Sequence, residues 1–252
     1  MSIGMRHQKR VRAEEAARRQ LEILRRQDAA ALADAAKGNA AFELLTVELE
    51  NARKALHELP QGEARRERKK RLLAQYLPMV EAFLAGPENY QNPVLMWCLI
   101  WSCDIGDLAG AQRLADAAIE RNQAMPHPPF GKDYTVKLFW ADSVLTWATL
   151  EFAAGRSVNP YFPDMFGRVM EWPVHDVIKA KYYKLAALIA EKNEAIDEAL
   201  AYAVAARDVG AGAVKVKTLI ARLEKAAAAK AEAGRRAPKE PDAGGGGTET
   251  EE

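Results

Sequence analysis

The sequence predicts an all-α protein: a helical bundle of tetratricopeptide-like helical hairpins, with a basic N-terminal helical and coiled-coil region and a disordered C-terminal tail. Three observations predict it. Apolar residues recur at helical spacing along most of the chain, with good helix formers between them. No stretch longer than four residues alternates apolar and polar with β-branched enrichment, so strand signals are nearly absent. Residues 234–252 combine Arg235, Arg236, Pro238, Pro241, four consecutive glycines and a Thr-Glu-Thr-Glu-Glu ending, a composition that cannot bury a core.

Taken in order, residues 13–37 read as a helix of Ala, Glu, Arg and Leu, punctuated by Gly38-Asn39. A second helix carries Phe42, Leu45, Leu49, Ala52, Leu56 and Leu59 in alternating steps of three and four. That narrow stripe suits a coiled coil or a helix-pair seam, and Phe42, Leu45, Leu49 and Leu56 are the expected oligomerisation residues. Pro60-Gln61-Gly62 ends it. Glu63–Tyr76 reads as a very basic helix, and Pro78 is placed to start another, since proline fits a first helical turn. From about residue 92 the apolar density rises, with Trp97, Ile100, Trp101, Phe139, Trp140, Trp147 and Phe152 marking the core. Helices are expected at 92–103, 107–121, 133–154, 163–171, 174–191, 194–208 and 212–233. The expected organisation is a basic N-terminal helical region at 1–76, an α-helical body at 77–233 and a tail at 234–252.

A short internal repeat accompanies these helices. Ala111, Ala115 and Ala118 recur as Ala199, Ala203 and Ala206, an offset of 88 residues. Each trio follows a polar turn after an apolar helix. Small side chains four and three apart line one helix face and let a neighbouring helix approach closely, as in the tetratricopeptide hairpin.

The chain has 252 residues, 49% hydrophobic and 28% charged, which suffices for a real core. The net charge of +1 hides an asymmetry. Residues 1–75 hold 17 Lys and Arg against 11 Asp and Glu, while the rest holds 19 against 24. A basic region attached to an acidic body suggests an arm that meets a polyanion. Its cations fall in two clusters: Arg6, Lys9, Arg10, Arg12, Arg18, Arg19, Arg25 and Arg26, then Arg65, Arg66, Arg68, Lys69, Lys70 and Arg71. Both are candidate phosphate contacts, and neither specifies bases. Some arginines of the first cluster have i,i+4 partners, as in Glu14–Arg18, Glu15–Arg19 and Glu22–Arg26, which is how a solvated helix also reads.

Catalytic signals are missing. His7, His57, His127 and His175 are scattered, there is no G-x-x-x-x-G-K-[ST], and no catalytic residue, metal or cofactor is expected. Asp104-Ile105-Gly106-Asp107 offers two carboxylates that a divalent ion could use, but Asp107 suits a helix N-cap better. Cys98 and Cys103 read as buried thiols. Met125-Pro126-His127-Pro128-Pro129 reads as a stiff connector or a binding loop. The N-terminus shows no signal peptide, and Val94–Trp101 is too short to cross a bilayer, so no membrane partner is expected.

Several of these residues form an ordered set. The arm Arg6-His7-x-x-Arg10-Val11-x-Ala13 is followed by Val94-Leu95-Met96-Trp97 and Asp104-Ile105-Gly106-Asp107-Leu108-Ala109-Gly110-Ala111. Ala115, Ala118, Met125-Pro126, Ala180-Lys181, Ala199-Leu200 and Ile220-Ala221-Arg222-Leu223-Glu224 come next. The set resembles the phage small terminase subunits of temperate contractile-tailed phages over roughly residues 6–230. The resemblance implies a subunit that recognises the packaging site on double-stranded phage DNA. It also implies presentation of that site to a large terminase subunit, assembly into a homo-oligomeric ring, and residence in the host bacterial cytoplasm. The family is often labelled the terminase endonuclease subunit, which leaves a metal-dependent nuclease using Asp104 and Asp107 as one alternative. A helical scaffold binding only protein is the other. The acidic ending departs from relatives that end in basic residues.

Overall fold

The computed structural model describes residues 39–210 and 212–236. The expected helix at 13–37 and residues 237–252 of the expected tail lie outside the described residues. Among the described residues every regular element is helical: α1 (Asn39–Glu58), α2 (Glu63–Ala85), α3 (Pro93–Ile105), α4 (Leu108–Glu120), α5 (Val136–Ala153), α6 (Tyr161–Glu171), α7 (Asp176–Lys192), α8 (Ile196–Gly210) and α9 (Lys217–Arg236). They fall into two compact units, divided between Trp172 and Pro173.

In the first unit α3 is the central element. Every residue from Val94 to Ser102 is buried, which explains the continuous apolar run there. Its ends are fixed locally. The Asn92 carboxamide oxygen accepts hydrogen bonds from the N–H groups of Val94 and Leu95 at 3.0 and 3.1 Å, and Pro93 occupies the first turn. At the other end Gly106 takes the left-handed conformation, φ 79° and ψ 17°, and the Asp107 N–H returns to the Ser102 carbonyl at 2.9 Å. The α4 helix packs on α3 through Ala111, Leu114, Ala115 and Ala118, all fully buried.

Two expectations change here. Pro78 does not start a new helix; it lies inside α2, which runs unbroken from Glu63 to Ala85 and across residues 76–77. The lost backbone donor is tolerated because Tyr76, Val80 and Phe83 are buried along the same helix, so packing outweighs the local cost. The stripe on α1 is a seam within the chain. Leu45, Leu49, Ala52 and Leu56 are buried, α1 packs on α2 and α3, and Phe42 meets Tyr90 edge-to-face at 5.5 Å. Leu45, Leu49 and Leu56, expected at a contact between copies, are buried within the chain itself.

The second unit is a three-helix stack. Ala187 and Ala190 of α7, Ala199, Ala203 and Ala206 of α8, and Val216, Leu219, Ile220 and Leu223 at α9 form one core cluster. The three alanines of α8 are fully buried, as are the trio on α4, so both small faces are used. The tetratricopeptide likeness has no support beyond that spacing. The last helix reaches Arg236, so the first three residues of the expected tail are helical.

Candidate nucleic-acid interface

The first cation cluster, Arg6 to Arg26, lies outside the described residues. The second lies on the first two turns of α2, and its six cations are used in different ways. Arg65 donates to the carbonyls of His57 at 3.0 Å and Leu59 at 2.6 Å, closing the end of α1. Arg66 donates to the Ile105 carbonyl at 2.6 Å, at the end of α3. A cation beside a helix C-terminus meets the negative end of the dipole and supplies donors to carbonyls that have none. Lys69 pairs with Asp104 at 2.7 Å, and Lys70 with Glu67 at 2.5 Å. The hydrogen bond and charge of Lys70 hold the Glu67 carboxyl below its usual range. Arg68 and Arg71 make no hydrogen bond to another described residue.

The arrangement follows from helical periodicity. Leu72, Leu73 and Tyr76 direct one side of α2 into the core. Arg66, Lys70 and Arg71 are exposed, while Arg65, Arg68 and Lys69 are half-buried. The outward surface is therefore basic but narrower than six cations in seven positions imply.

The carboxylates at 104 and 107 are separately engaged. Asp104 holds Lys69, and Asp107 caps α4 by accepting the Gly110 N–H at 3.0 Å. Among the described residues no three His, Cys, Asp or Glu side chains gather as a metal set. Burial pushes both thiols, Cys98 and Cys103, up to about 12, which leaves them protonated at neutral pH.

Other side chains, which the sequence did not single out, hold this region in place. Arg121 donates to the carbonyls of Glu88 at 2.6 Å, Leu84 at 2.8 Å and Gly86 at 3.1 Å, with its guanidinium 4.9 Å from the Phe83 ring centre. Buried Gln123 accepts the Asn92 N–H at 2.7 Å and donates to the Tyr90 carbonyl at 2.9 Å. Together they fix the 86–92 segment that leads into α3. The Arg53 guanidinium lies 3.9 Å from the Trp97 ring centre. In the Pro-rich segment Phe130 stacks on Tyr134 at 5.2 Å and meets Phe139 edge-on at 5.5 Å, so that connector is anchored to the start of α5. No helix among the described residues is long and apolar enough to cross a membrane.

Comparison with known proteins covers much of this region. Residues 46–177 match the phage small terminase subunit family, a span that contains α2, α3, α4 and the turn between the last two. The chain is similar to the "Probable terminase, endonuclease subunit" of Haemophilus phage HP1, with 39% identity over 120 residues. That match covers 47% of this chain and 42% of the relative, so the chain spans less than half the length of this relative. It is also similar to the "Terminase, endonuclease subunit" of Escherichia phage P2, with 28% identity over 186 residues and 73% of each chain covered. No solved structure matches. With the family match extending over more than half of its residues, the chain belongs to the phage small terminase subunits.

Proposed function

We propose that the chain binds double-stranded phage DNA at the packaging site and presents it to the large terminase subunit, within a homo-oligomeric ring in the host cytoplasm. The observation that carries this reading is the family match over residues 46–177, which includes the basic helix α2. The charge of the first 75 residues supports it, since 17 cations against 11 anions favour a polyanionic partner. In this reading Arg6, Lys9, Arg10, Arg12 and the further arginines up to Arg26 form the main grip. Arg68, Lys70 and Arg71 extend it.

The relatives' names carry the word endonuclease. Here Asp104 is paired and Asp107 caps a helix, so the reading assigns strand cutting to the large subunit. A nuclease reading requires the purified chain to nick packaging-site DNA with Mg²⁺ or Mn²⁺ alone, and Asp104→Asn to stop it.

A gel-shift salt series with packaging-site and unrelated DNA tests the proposal. The expected result is a shift at low salt that weakens steeply as salt rises, with the packaging site bound more tightly. Deleting residues 1–26 is expected to abolish the shift and leave the far-UV helical signal in place. Binding retained by that truncation overturns the arm's role, and no shift at low salt overturns DNA recognition.

A further inference from the structure

The two units carry charge differently. Residues 173–236 hold 12 Lys and Arg against 8 Asp and Glu, whereas residues 39–172, the described part of the first unit, hold 14 against 17. Summed together, most of the second unit's positive excess disappears into the acidity of the first. Within the second unit the charge is also polarised along the helices. A Cβ on Gly210 would lie 2.8 Å from the Ala180 Cβ and 3.6 Å from a Val214 methyl. The end of α8, the turn into α9 and the first half of α7 therefore share one end of the stack. That end, residues 176–184 and 207–217, holds six cations against two carboxylates. The opposite end, residues 191–198 and 222–232, holds four cations against six carboxylates. Two of the latter cations are paired, Arg222 with Glu191 at 2.6 Å and Lys230 with Asp197 at 3.3 Å.

At the cationic end Arg207 is occupied by Asp208 at 2.8 Å. Lys181, Lys184, Lys215 and Lys217 are not so occupied: none donates a hydrogen bond to another described residue. Lys181, Lys215 and Lys217 are exposed, and Lys184 is half-buried. Lys181 and Lys184 lie about one turn apart on α7. Lys215 and Lys217 flank Val216, whose buried side chain pins that turn to the core. The remaining carboxylate at this end is Asp176.

We propose that Lys181, Lys184, Lys215 and Lys217 form a second contact for the sugar-phosphate backbone of double-stranded DNA. The proposal rests on the DNA-binding reading above. Lysines are compact charges on flexible stems, so they suit a phosphate track rather than base edges or a fixed bidentate partner. The contact adds affinity without sequence preference, and its signature is the number of counterions released.

The test is fluorescence anisotropy of the full chain on a labelled duplex, over about 50–200 mM salt. The fourfold variant K181Q/K184Q/K215Q/K217Q is compared with the native chain. Every phosphate that the substitutions leave without its lysine makes the slope of log K against log salt shallower by about 0.9, so a change of roughly 2–4 is expected. The corresponding fourfold lysine-to-arginine variant is expected to keep the native slope. Native binding with an unchanged slope and affinity in the glutamine variant overturns the second contact and leaves the proposed function standing. No native binding at low salt overturns both. Where the fourfold variant loses far-UV helicity, K181Q/K184Q and K215Q/K217Q are read separately, and native slopes in both overturn the proposal.

Discussion

The first unit packs around large rings, and the second packs around methyl groups. Trp97, Trp101 and Trp140 are buried in the former, while Ala187, Ala190, Ala199, Ala203 and Ala206 line the core of the latter. The two units also spend cations differently. On α2 four of six clustered cations are tied to carbonyls or carboxylates, whereas Lys181, Lys184, Lys215 and Lys217 of the second unit make no hydrogen bond to another described residue. The difference teaches that a cation cluster in a sequence can be scaffold or binding surface, and that partners decide which. It also means that the two cores fail in opposite ways, one by losing volume and the other by gaining it.

The largest effect is expected from Trp140→Ala. Removing a fully buried indole should cost about 3–5 kcal/mol, read as a large fall in the thermal midpoint. A loss below about 1 kcal/mol would mean that the site collapses onto the gap, contrary to a ring-built core. The opposite kind of change, Ala203→Leu, should cost about 1–3 kcal/mol by overpacking between α7 and α8. Neutral behaviour there would show that the alanine face has room to spare. The smallest effect separates the two uses of cations. Arg66→Ala should lower stability by about 0.5–1.5 kcal/mol, because the Ile105 carbonyl loses its partner. Lys217→Gln, with no such hydrogen bond to break, should stay within about 0.5 kcal/mol of the native chain. Equal losses in chemical denaturation would erase the distinction between scaffold and free cations.

Much of the fold was legible in the residues. Asp107 and the two alanine trios are local signals, and they mark a cap and close packing where the structure has them. Pro78 misled because proline's local preference for a first turn is overridden when Tyr76, Val80 and Phe83 bury one continuous helix. The α1 stripe is legible only in part. A narrow apolar seam says that a helix has a partner, and whether the partner is α2 or another copy depends on a fold-back that the turn at 60–62 does not encode. The use of Arg66 was not legible at all, since the Ile105 carbonyl is 39 residues away from the guanidinium that closes it. The positive excess of residues 173–236 is masked in the sequence because the acidic stretches on either side, 76–172 and 237–252, outweigh it.

The guanidinium of Arg66 on the Ile105 carbonyl has one further consequence. A phosphate that takes that same N–H displaces an existing partner instead of filling an open position. The encounter is an exchange, and only the difference between the two bonds appears as affinity. At about 1.4 kcal/mol per tenfold, a carbonyl bond of ordinary strength subtracts several-fold from what the same arginine would contribute in isolation. The number of arginines on such a helix is therefore an upper bound on the grip that it can exert.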